Sequence, residues 1–282
     1  MLDYASREDI PALKRLWKSC FFDTDRYIDG YFNNLFSLIR VPVCRTGDGT
    51  PVSMLSMLPV SLKRGTERYR GHYIYAAATR KDYEGRGLMS RLLEFSCQEA
   101  EAAGERFSCL LPASEALVQF YGRRGYRPAF YKELVHYPPY GAAASQQRTA
   151  LRKLGPEELA VMRQRFAEGL ETVLLQDVPL YPYLYLELME SGMEVLGVAL
   201  GGREDYAVCY PEDGLLVVKE TSLSRERLAE CIGALKARYQ CRGAVAGFPA
   251  SNGGKRVMSG LLRSLDGEFP LGETAYAGLL MD

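Results

Sequence analysis

Histidine is almost absent from this sequence, and its cysteines are scattered. His72 and His136 are the only histidines among 282 residues, which argues against a metal site built on histidine. No two cysteines form the C-x-x-C pair that zinc and redox motifs use. We therefore expect no metal, and we interpret the cysteines as reduced, small residues of the core. They are Cys20, Cys44, Cys97, Cys109, Cys209, Cys231 and Cys241.

The sequence also lacks net charge and long apolar runs. Lysine plus arginine and aspartate plus glutamate each number 35, so no overall field draws the chain toward nucleic acid or membrane. No apolar stretch reaches the roughly 20 residues of a membrane span, and charged residues stand where a signal peptide is apolar. These absences predict a soluble, cytoplasmic protein without a nucleic-acid or membrane partner.

What is present is an ordinary globular composition on a chain long enough for two domains. Hydrophobic residues make up 47% of the chain and charged residues 25%. Residues 138–147 combine proline, glycine, alanine and polar side chains without periodicity, which is typical of a linker. We place a boundary there, with a first domain over residues 1–140 and a second over residues 148–282.

The hydrophobic pattern predicts strands and helices in a similar order in both halves, which favours a duplicated fold. In the first half, predicted strands cover residues 2–5, 39–44, 51–62, 72–79, 107–111 and 126–137, and helices follow Ser6 and cover 25–38, 86–103 and 115–124. In the second half, predicted strands cover residues 149–154, 194–200, 205–210, 214–221, 243–248 and 275–281, and helices cover 156–168, 183–191 and 225–239.

A glycine-containing loop, EGRGLMS at residues 84–90, links a strand to a helix in the first half. Glycine permits a tight turn and close approach of a ligand, and a helix N-terminus exposes N–H groups at the positive end of its dipole. Such a place suits phosphate, and Arg80, Lys81, Arg86 and Arg91 add positive charge nearby. The loop is not a P-loop or a dinucleotide fingerprint, because the Lys-Ser/Thr pair and the third glycine are missing.

A second motif, FYGRRGY at residues 120–126, closes the short helix that follows the next strand. Tyr121 in this motif is protonated at neutral pH, since a phenol has a pKa near 10, and it can serve as a proton donor. Packing of Phe120 and Tyr121 against the sheet is the alternative interpretation.

Together the two motifs resemble the GNAT acetyltransferase superfamily. Its pyrophosphate loop reads Gln/Arg-x-x-Gly-x-Gly/Ala, and residues 84–89 are similar to it, with Glu84 and Met89 departing from the pattern. The resemblance implies an α/β (α+β) fold with a mixed, mostly antiparallel twisted sheet flanked by helices, and acetyl-CoA as co-substrate. It implies Tyr121 as the catalytic general acid. The coenzyme-binding residues that it implies are Ala77, Ala78, Thr79, Glu84, Gly85, Arg86, Gly87, Leu88, Met89 and Ser90.

The resemblance further implies that an amine attacks the thioester directly. Backbone groups around Ala77 and Thr79 would bind the pantetheine arm like an added strand, and an N–H group near Ala78 would polarise the thioester carbonyl. An acyl-enzyme route through Cys109 lacks a histidine that could activate the thiol. The general base stays open, and the candidates are Asp23, Asp25, Glu115, Glu133 and a water chain.

The chain also resembles the enhanced-intracellular-survival (Eis) branch, which joins two GNAT-like domains to a third domain similar to sterol carriers. The sequence has no room for that third domain, and its second half has KETSLS at residues 219–224 in place of the glycine loop. We therefore expect a degenerate second domain that binds no coenzyme and walls the acceptor site. The tyrosine-rich residues 181–185 are candidates for that wall. For the terminal Asp282, the alternatives are a frayed tail and a carboxylate that reaches the active site.

Acetyl transfer to a small-molecule or peptide amine is the favoured function on these grounds. A non-catalytic acyl-CoA-binding sensor or scaffold is the first alternative. An aminoacyl transferase that uses aminoacyl-tRNA is the second, and the neutral charge offers tRNA no basic surface. The sequence identifies neither the amine nor the oligomeric state, and a homo-oligomer stays open.

Overall fold

A computed structural model describes residues 1–138, 149–175, 178–251, 255–267, 271–272 and 274–280. The predicted linker, apart from Pro138, and the terminal Asp282 lie outside the described residues. None of the helices within the described ranges is long and apolar enough to cross a membrane.

The N-terminal half contains six strands and four helices among its described residues. The strands are β1 (Leu2–Tyr4), β2 (Pro42–Arg45), β3 (Pro51–Arg64), β4 (Glu67–Thr79), β5 (Phe107–Leu110) and β6 (Arg127–Tyr137). The helices are α1 (Ile10–Cys20), α2 (Asp25–Asn34), α3 (Leu88–Ala102) and α4 (Glu115–Gly122).

The C-terminal half continues the alternation of strands and helices. Its strands are β7 (Ala150–Lys153), β8 (Thr172–Leu175), β9 (Glu194–Leu200), β10 (Arg203–Glu212), β11 (Leu215–Thr221), β12 (Gly243–Pro249) and β13 (Arg256–Ser264). Its helices are α5 (Pro156–Phe166), α6 (Tyr181–Glu190) and α7 (Arg225–Tyr239).

Side-chain caps explain where several helices begin. The hydroxyl of Thr24 accepts a hydrogen bond from the Tyr27 N–H group at the start of α2. Ser114 caps α4 and Ser224 caps α7 in the same way. Before α1, the Ser6 N–H group donates to the Asp9 carboxylate at 2.7 Å, which closes the turn that leads into the helix.

The strands form one sheet in the order β1-β2-β3-β4-β5-β13-β6-β12-β11-β10-β9-β7, and β8 pairs with β3 beside this path. Among the described strands, the β4–β5 and β11–β12 pairs are parallel and the other pairs are antiparallel. This mixed, mostly antiparallel sheet with flanking helices confirms the predicted fold class.

The sequence prediction missed β13 and β8, which both connect the halves. β13 comes from the C-terminal half, yet it pairs with β5 on one side and β6 on the other. β8 pairs with the middle of β3, from Val60 to Lys63. The two halves therefore share one continuous sheet.

The predicted strand over residues 275–281 is wrong. Within the described residues of this segment, only Tyr276 forms a bridge, with Thr172. The segment instead bonds to separate elements: Tyr131 N–H donates to the Ala275 carbonyl, Tyr276 N–H to the Glu171 carbonyl, and Leu279 N–H to the Glu220 carboxylate. Its backbone groups are thus satisfied without a ladder.

Buried side chains cover both faces of the sheet. One cluster packs α1, α2 and α6 against the sheet and includes Trp17 and Tyr31. A second cluster lies under α3 and includes Leu92 and Tyr126. A third lies under α7 in the C-terminal half. The first cluster contains residues of both halves, so the core is continuous across them.

Candidate active site

The strands β4 and β5 run in parallel over a short distance and then separate. Their pairing covers Gly71–Tyr73 against Phe107–Cys109. A Cβ atom at Gly71 would lie 2.5 Å from the Phe107 carbonyl oxygen, so only glycine permits this close approach. Beyond Tyr73, the described pairing of β4 is with β3 alone, which leaves its other edge available to a ligand.

A bulge interrupts β4 beyond this point. Tyr75 pairs with Ser56 and Ala78 with Met54, so Ala76 and Ala77 together oppose one residue of β3. Ala76 has a φ of 48°, which is unusual for a residue with a side chain. Such backbone strain persists only where the surrounding structure holds it, often at functional sites.

The glycine loop leads from β4 into α3 as predicted. Gly85 and Gly87 have φ values of 73° and 72°, and a Cβ atom on either would meet nothing within 4 Å. Gly87 immediately precedes α3, whose first-turn N–H groups have no carbonyl acceptor within the helix. The loop therefore presents backbone donors at the positive end of the α3 dipole.

A cavity of about 590 Å³ lies between this loop, β4 and α4. Ala78 and Arg86 are among the coenzyme-binding residues that the resemblance implies, yet they do not line this cavity. Ala78 is buried in the core cluster under α1 and α2, while Arg86 stacks on the Tyr83 ring and donates to the Asp82 carbonyl. The lining residues are Ala77, Thr79, Tyr83, Glu84, Gly85, Gly87, Leu88, Met89, Ser90, Leu117, Phe120, Tyr121 and Arg124.

Sequence reasoning missed Arg124, the arginine among these lining residues. Its Nε donates to the Ser90 hydroxyl at 2.9 Å, and its guanidinium lies 3.5 Å from the Phe120 ring centroid. Arg80, expected to face phosphate, instead pairs with Asp82 at 2.7 Å and does not line the cavity. A fork of arginine donors beside a helix N-terminus is a strong anion site. Its position within the FYGRRGY motif was the available signal.

Tyr121 stands at the inner end of α4 and is 7% exposed. Its ring packs edge-on against Phe120 and Tyr126. Burial raises the pKa of Tyr121 to about 12, against a smaller opposing effect of the Arg124 charge. Tyr121 therefore both packs in the core and lines the cavity, with a phenol that stays protonated at neutral pH.

Two further cavities, of about 260 and 170 Å³, lie on the opposite face of β4 and share Phe22, Asp23 and Tyr75. Trp17 Nε1 donates to the Asp23 carboxylate at 2.7 Å. The Tyr75 and Tyr27 hydroxyls share a hydrogen bond of 2.7 Å. We call this region the aromatic cleft; its lining residues are Trp17, Cys20, Phe21, Phe22, Asp23, Thr24, Tyr27, Tyr75, Ala76, Glu187, Glu190 and Ser191.

The bulge in β4 separates the 590 Å³ cavity from the aromatic cleft. Ala76 lines the cleft and Ala77, the next residue, lines the cavity on the other face. One strand thus divides two ligand-sized spaces at a point where its backbone is strained. Such an arrangement can hold two reactants on either side of one backbone segment.

Residues 2–129 match the family model described as the acetyltransferase (GNAT) domain. This part of the chain is similar to GNAT acetyltransferase domains. A comparison with curated proteins finds no match for the chain.

Solved structures with the same fold extend the likeness over 94% of this chain. A probable N-acyltransferase from Enterococcus faecalis V583 has a TM-score of 0.76 at 16% identity, with 73% of that chain covered. A GCN5-related N-acetyltransferase from Anabaena variabilis has a TM-score of 0.72 at 15% identity, with 73% covered. Eis1 from Mycobacterium abscessus has a TM-score of 0.71 at 14% identity, with 74% covered. At these identities the likeness shows the fold.

The candidate general bases lie in different places. Asp23 lines the aromatic cleft beside Tyr75. Asp25 is exposed and pairs with Lys18. Glu115 lies in the first turn of α4 and lines neither the cavity nor the cleft. Glu133 lies on β6, and its carboxylate accepts hydrogen bonds from Arg225 and Ser251. Asp23 is therefore the candidate that the structure brings to the cleft.

Cys109 on β5 is a poor nucleophile. It is 1% exposed, and burial raises the pKa of its thiol. Cysteine attacks as the thiolate, which this environment disfavours. The described residues also hold no cluster of three or more histidine, cysteine or acidic side chains that could bind a metal ion.

In the C-terminal half, residues 219–224 stand where the N-terminal half has its glycine loop, and they differ from it in structure. There β11 leads into α7, and Glu220 near the end of β11 is fully buried. Its carboxylate accepts from Arg163 Nε and from the Tyr206 hydroxyl, both at 2.7 Å. A larger cavity of about 860 Å³ lies nearby on α5 and β10, and its charged lining includes the exposed Arg152–Glu204 pair.

Proposed function

We propose that the protein transfers an acetyl group from acetyl-CoA to an amine that attacks directly. The observation that carries this proposal is the pair of ligand-sized spaces on opposite faces of β4, which adjoin at Ala76 and Ala77. A donor on one face and an acceptor on the other would meet at the bulge. The match of residues 2–129 to the acetyltransferase (GNAT) family model supports the same chemistry.

The 590 Å³ cavity fits acetyl-CoA as donor. The open space above Gly85 and Gly87 and the first-turn N–H groups of α3 would hold the pyrophosphate, together with Arg124. The available edge of β4 around Ala77 and Thr79 would bind the pantetheine amides as an added strand. Acetyl-CoA supplies an activated acetyl group and a thiolate leaving group.

Tyr121 is the general acid in this proposal. It holds a proton on its phenol oxygen and donates that proton to the departing sulfur. Its raised pKa keeps the donor form present at neutral pH. A backbone N–H group of the bulge, which is held rigidly by β3, polarises the carbonyl.

Asp23 is the candidate that receives the proton of the attacking amine. The hydrogen bond from Trp17 Nε1 fixes its carboxylate at the cleft, next to Tyr75. An ionised carboxylate attracts an ammonium group and can accept its proton directly or through a water. Loss of that proton frees the lone pair of the amine for attack at the bulge.

The C-terminal half is proposed to wall the acceptor side and to bind no coenzyme. The hydroxyl of Tyr183 on α6 donates to the Tyr27 carbonyl on α2 at 3.0 Å. From the same helix, Glu187 and Glu190 line the aromatic cleft. The buried Arg163–Glu220 pair occupies the region where the N-terminal half has its glycine loop.

The test is an acetyl-CoA turnover assay with and without a panel of amines, with thiol release and acetylated product both measured. We expect thiol release that depends on the amine and matches product one to one. Binding of acetyl-CoA without turnover on any amine would instead favour the non-catalytic sensor. Thiol release without acetylated product would show hydrolysis and contradict the proposal.

A further inference from the structure

We propose that the acceptor is a compact primary amine on an apolar, preferably aromatic, carbon skeleton that carries no carboxylate. This inference rests on the proposed function, because it assigns the aromatic cleft to the acceptor. Three properties of the cleft carry it: its aromatic walls, the sign of its charges and its size.

Five of the residues that line the cleft are aromatic. Trp17, Phe21, Phe22, Tyr27 and Tyr75 all line it. Aromatic faces bind apolar skeletons through area burial, and they attract ammonium groups through the ring quadrupole. Hydroxyl groups of an acceptor that face these rings would lose water without regaining hydrogen bonds from them.

The charged groups that line the cleft are all carboxylates. They belong to Asp23, Glu187 and Glu190, and the lining residues include no lysine, arginine or histidine. Arg26 pairs with Glu190 at 3.7 Å but is exposed and lies outside the lining. Glu187 is 6% exposed, so its charge acts in a medium of low dielectric constant. The cleft therefore attracts a cation and repels an acceptor that carries a carboxylate.

The Tyr27 and Tyr75 hydroxyls in the cleft carry no charge and so do not offset the charge of the carboxylates. Burial, and after it the negative charge of Glu187, raises the pKa of both Tyr27 and Tyr75. Both phenols are therefore neutral, and they share one hydrogen bond. The charge of the residues that line the cleft is therefore negative, which favours an acceptor with an ammonium group.

The size of the cleft limits the acceptor. Its cavities of about 260 and 170 Å³ are each smaller than the roughly 300–1,000 Å³ that is usual for sites of drug-sized ligands. Phe22 is fully exposed where the two cavities join. An exposed phenylalanine at a cavity gains stability when an apolar group covers it. We therefore expect Phe22 to contact the apolar carbon skeleton of the acceptor.

The first experiment measures binding to the whole protein by calorimetry, in the absence of acetyl-CoA. The probes are 2-phenylethylamine, 2-phenylethanol, which lacks the charge, and phenylalanine, which adds a carboxylate. We expect 2-phenylethylamine to bind at least about ten-fold more tightly than either analogue, and Phe22→Ala to weaken its binding about five-fold. The matched control is Leu215→Ala, another exposed apolar residue far from the cleft in sequence and 42% exposed. It should bind as the wild type does.

The second experiment compares kcat/KM for 2-phenylethylamine, phenylalanine, glucosamine and a lysine-containing peptide with acetyl-CoA as donor. The inference expects 2-phenylethylamine to lead by about ten-fold or more. If any of the other three leads, the inference is overturned while the proposed acetyl transfer stands. If 2-phenylethylamine binds but no amine is acetylated, the proposed function fails while the assignment of the cleft stands. Absence of both binding and acetylation of 2-phenylethylamine overturns the inference.

Discussion

At the scale of single residues, Tyr121 connects the packing of α4 with the chemistry of the cavity. Replacing Tyr121 by phenylalanine removes the phenol proton and keeps the ring contacts with Phe120 and Tyr126. We expect kcat to fall about 10²-fold, because a thiolate with a pKa near 8.5 is a fair leaving group without a proton. The Kd for acetyl-CoA should stay within two-fold, about the error of the calorimetric measurement.

Tyr126→Phe is the matched control for that variant. The Tyr126 hydroxyl is buried and shares a hydrogen bond of 2.7 Å with Ser108, away from the lining of the cavity. Its loss should lower the free energy of unfolding by about 1 kcal/mol and leave kcat unchanged. Full activity in Tyr121→Phe would return Tyr121 to a packing role.

The pH dependence of turnover reports the ionisation of Tyr121. A general acid works in its protonated form, so its contribution persists below its pKa and is lost above it. With a pKa of about 12, the phenol stays protonated through pH 10. The ratio of wild-type to Tyr121→Phe kcat should therefore be constant from pH 7 to pH 10. A ratio that falls toward one near pH 10 would contradict this environment for Tyr121.

At the scale of elements, the buried Arg163–Glu220 pair joins α5 to β11. The side chains of Arg163 and Glu220 are 1% and 0% exposed, and the carboxylate also accepts from Tyr206 and from the Leu279 N–H group. Glu220→Gln leaves the arginine buried without its counter-charge, which typically costs about 3–5 kcal/mol. Denaturant unfolding should show this loss.

Glu204→Gln provides the comparison for the buried pair. Glu204 pairs with Arg152 on the surface, where the two side chains are 36% and 49% exposed. Solvent screens this pair, so its loss should change the free energy of unfolding by no more than about 1 kcal/mol. Equal losses in the free energy of unfolding for the two substitutions would show that the buried Arg163–Glu220 pair stabilises the protein no more than the exposed pair does.

Local sequence signals predicted most elements and missed those that depend on distant partners. The predicted bounds of β9 and α7 agree with the structure, because periodicity and caps define them locally. β13 was missed because Gly260 lies in its middle and a register shift occurs there. The glycine loop was predictable from spacing. The aromatic cleft was not, since it joins residues near positions 20, 75 and 187.

At the scale of the whole molecule, the insertion of β13 makes the two halves one folding unit. Without β13, both β5 and β6 would lose their shared neighbour, and the sheet would open between them. We therefore expect a single calorimetric unfolding transition, with the calorimetric enthalpy equal to the van't Hoff enthalpy. Two separated transitions would show that the halves unfold independently.

We propose that acetyl-CoA binds once per chain, at the loop of residues 84–90. Calorimetric titration of acetyl-CoA into wild type, Gly87→Asp and Gly202→Asp tests it most directly. Gly202 is the matched control, because its φ of 76° is close to the 72° of Gly87 and its surroundings are equally open, while it lies in a turn outside the cavity. We predict one site per chain, a Kd at least ten-fold weaker in Gly87→Asp, and an unchanged Kd in Gly202→Asp. Two sites per chain would show that a second site binds the coenzyme. An unchanged Kd in folded Gly87→Asp would show that the loop of residues 84–90 does not bind it.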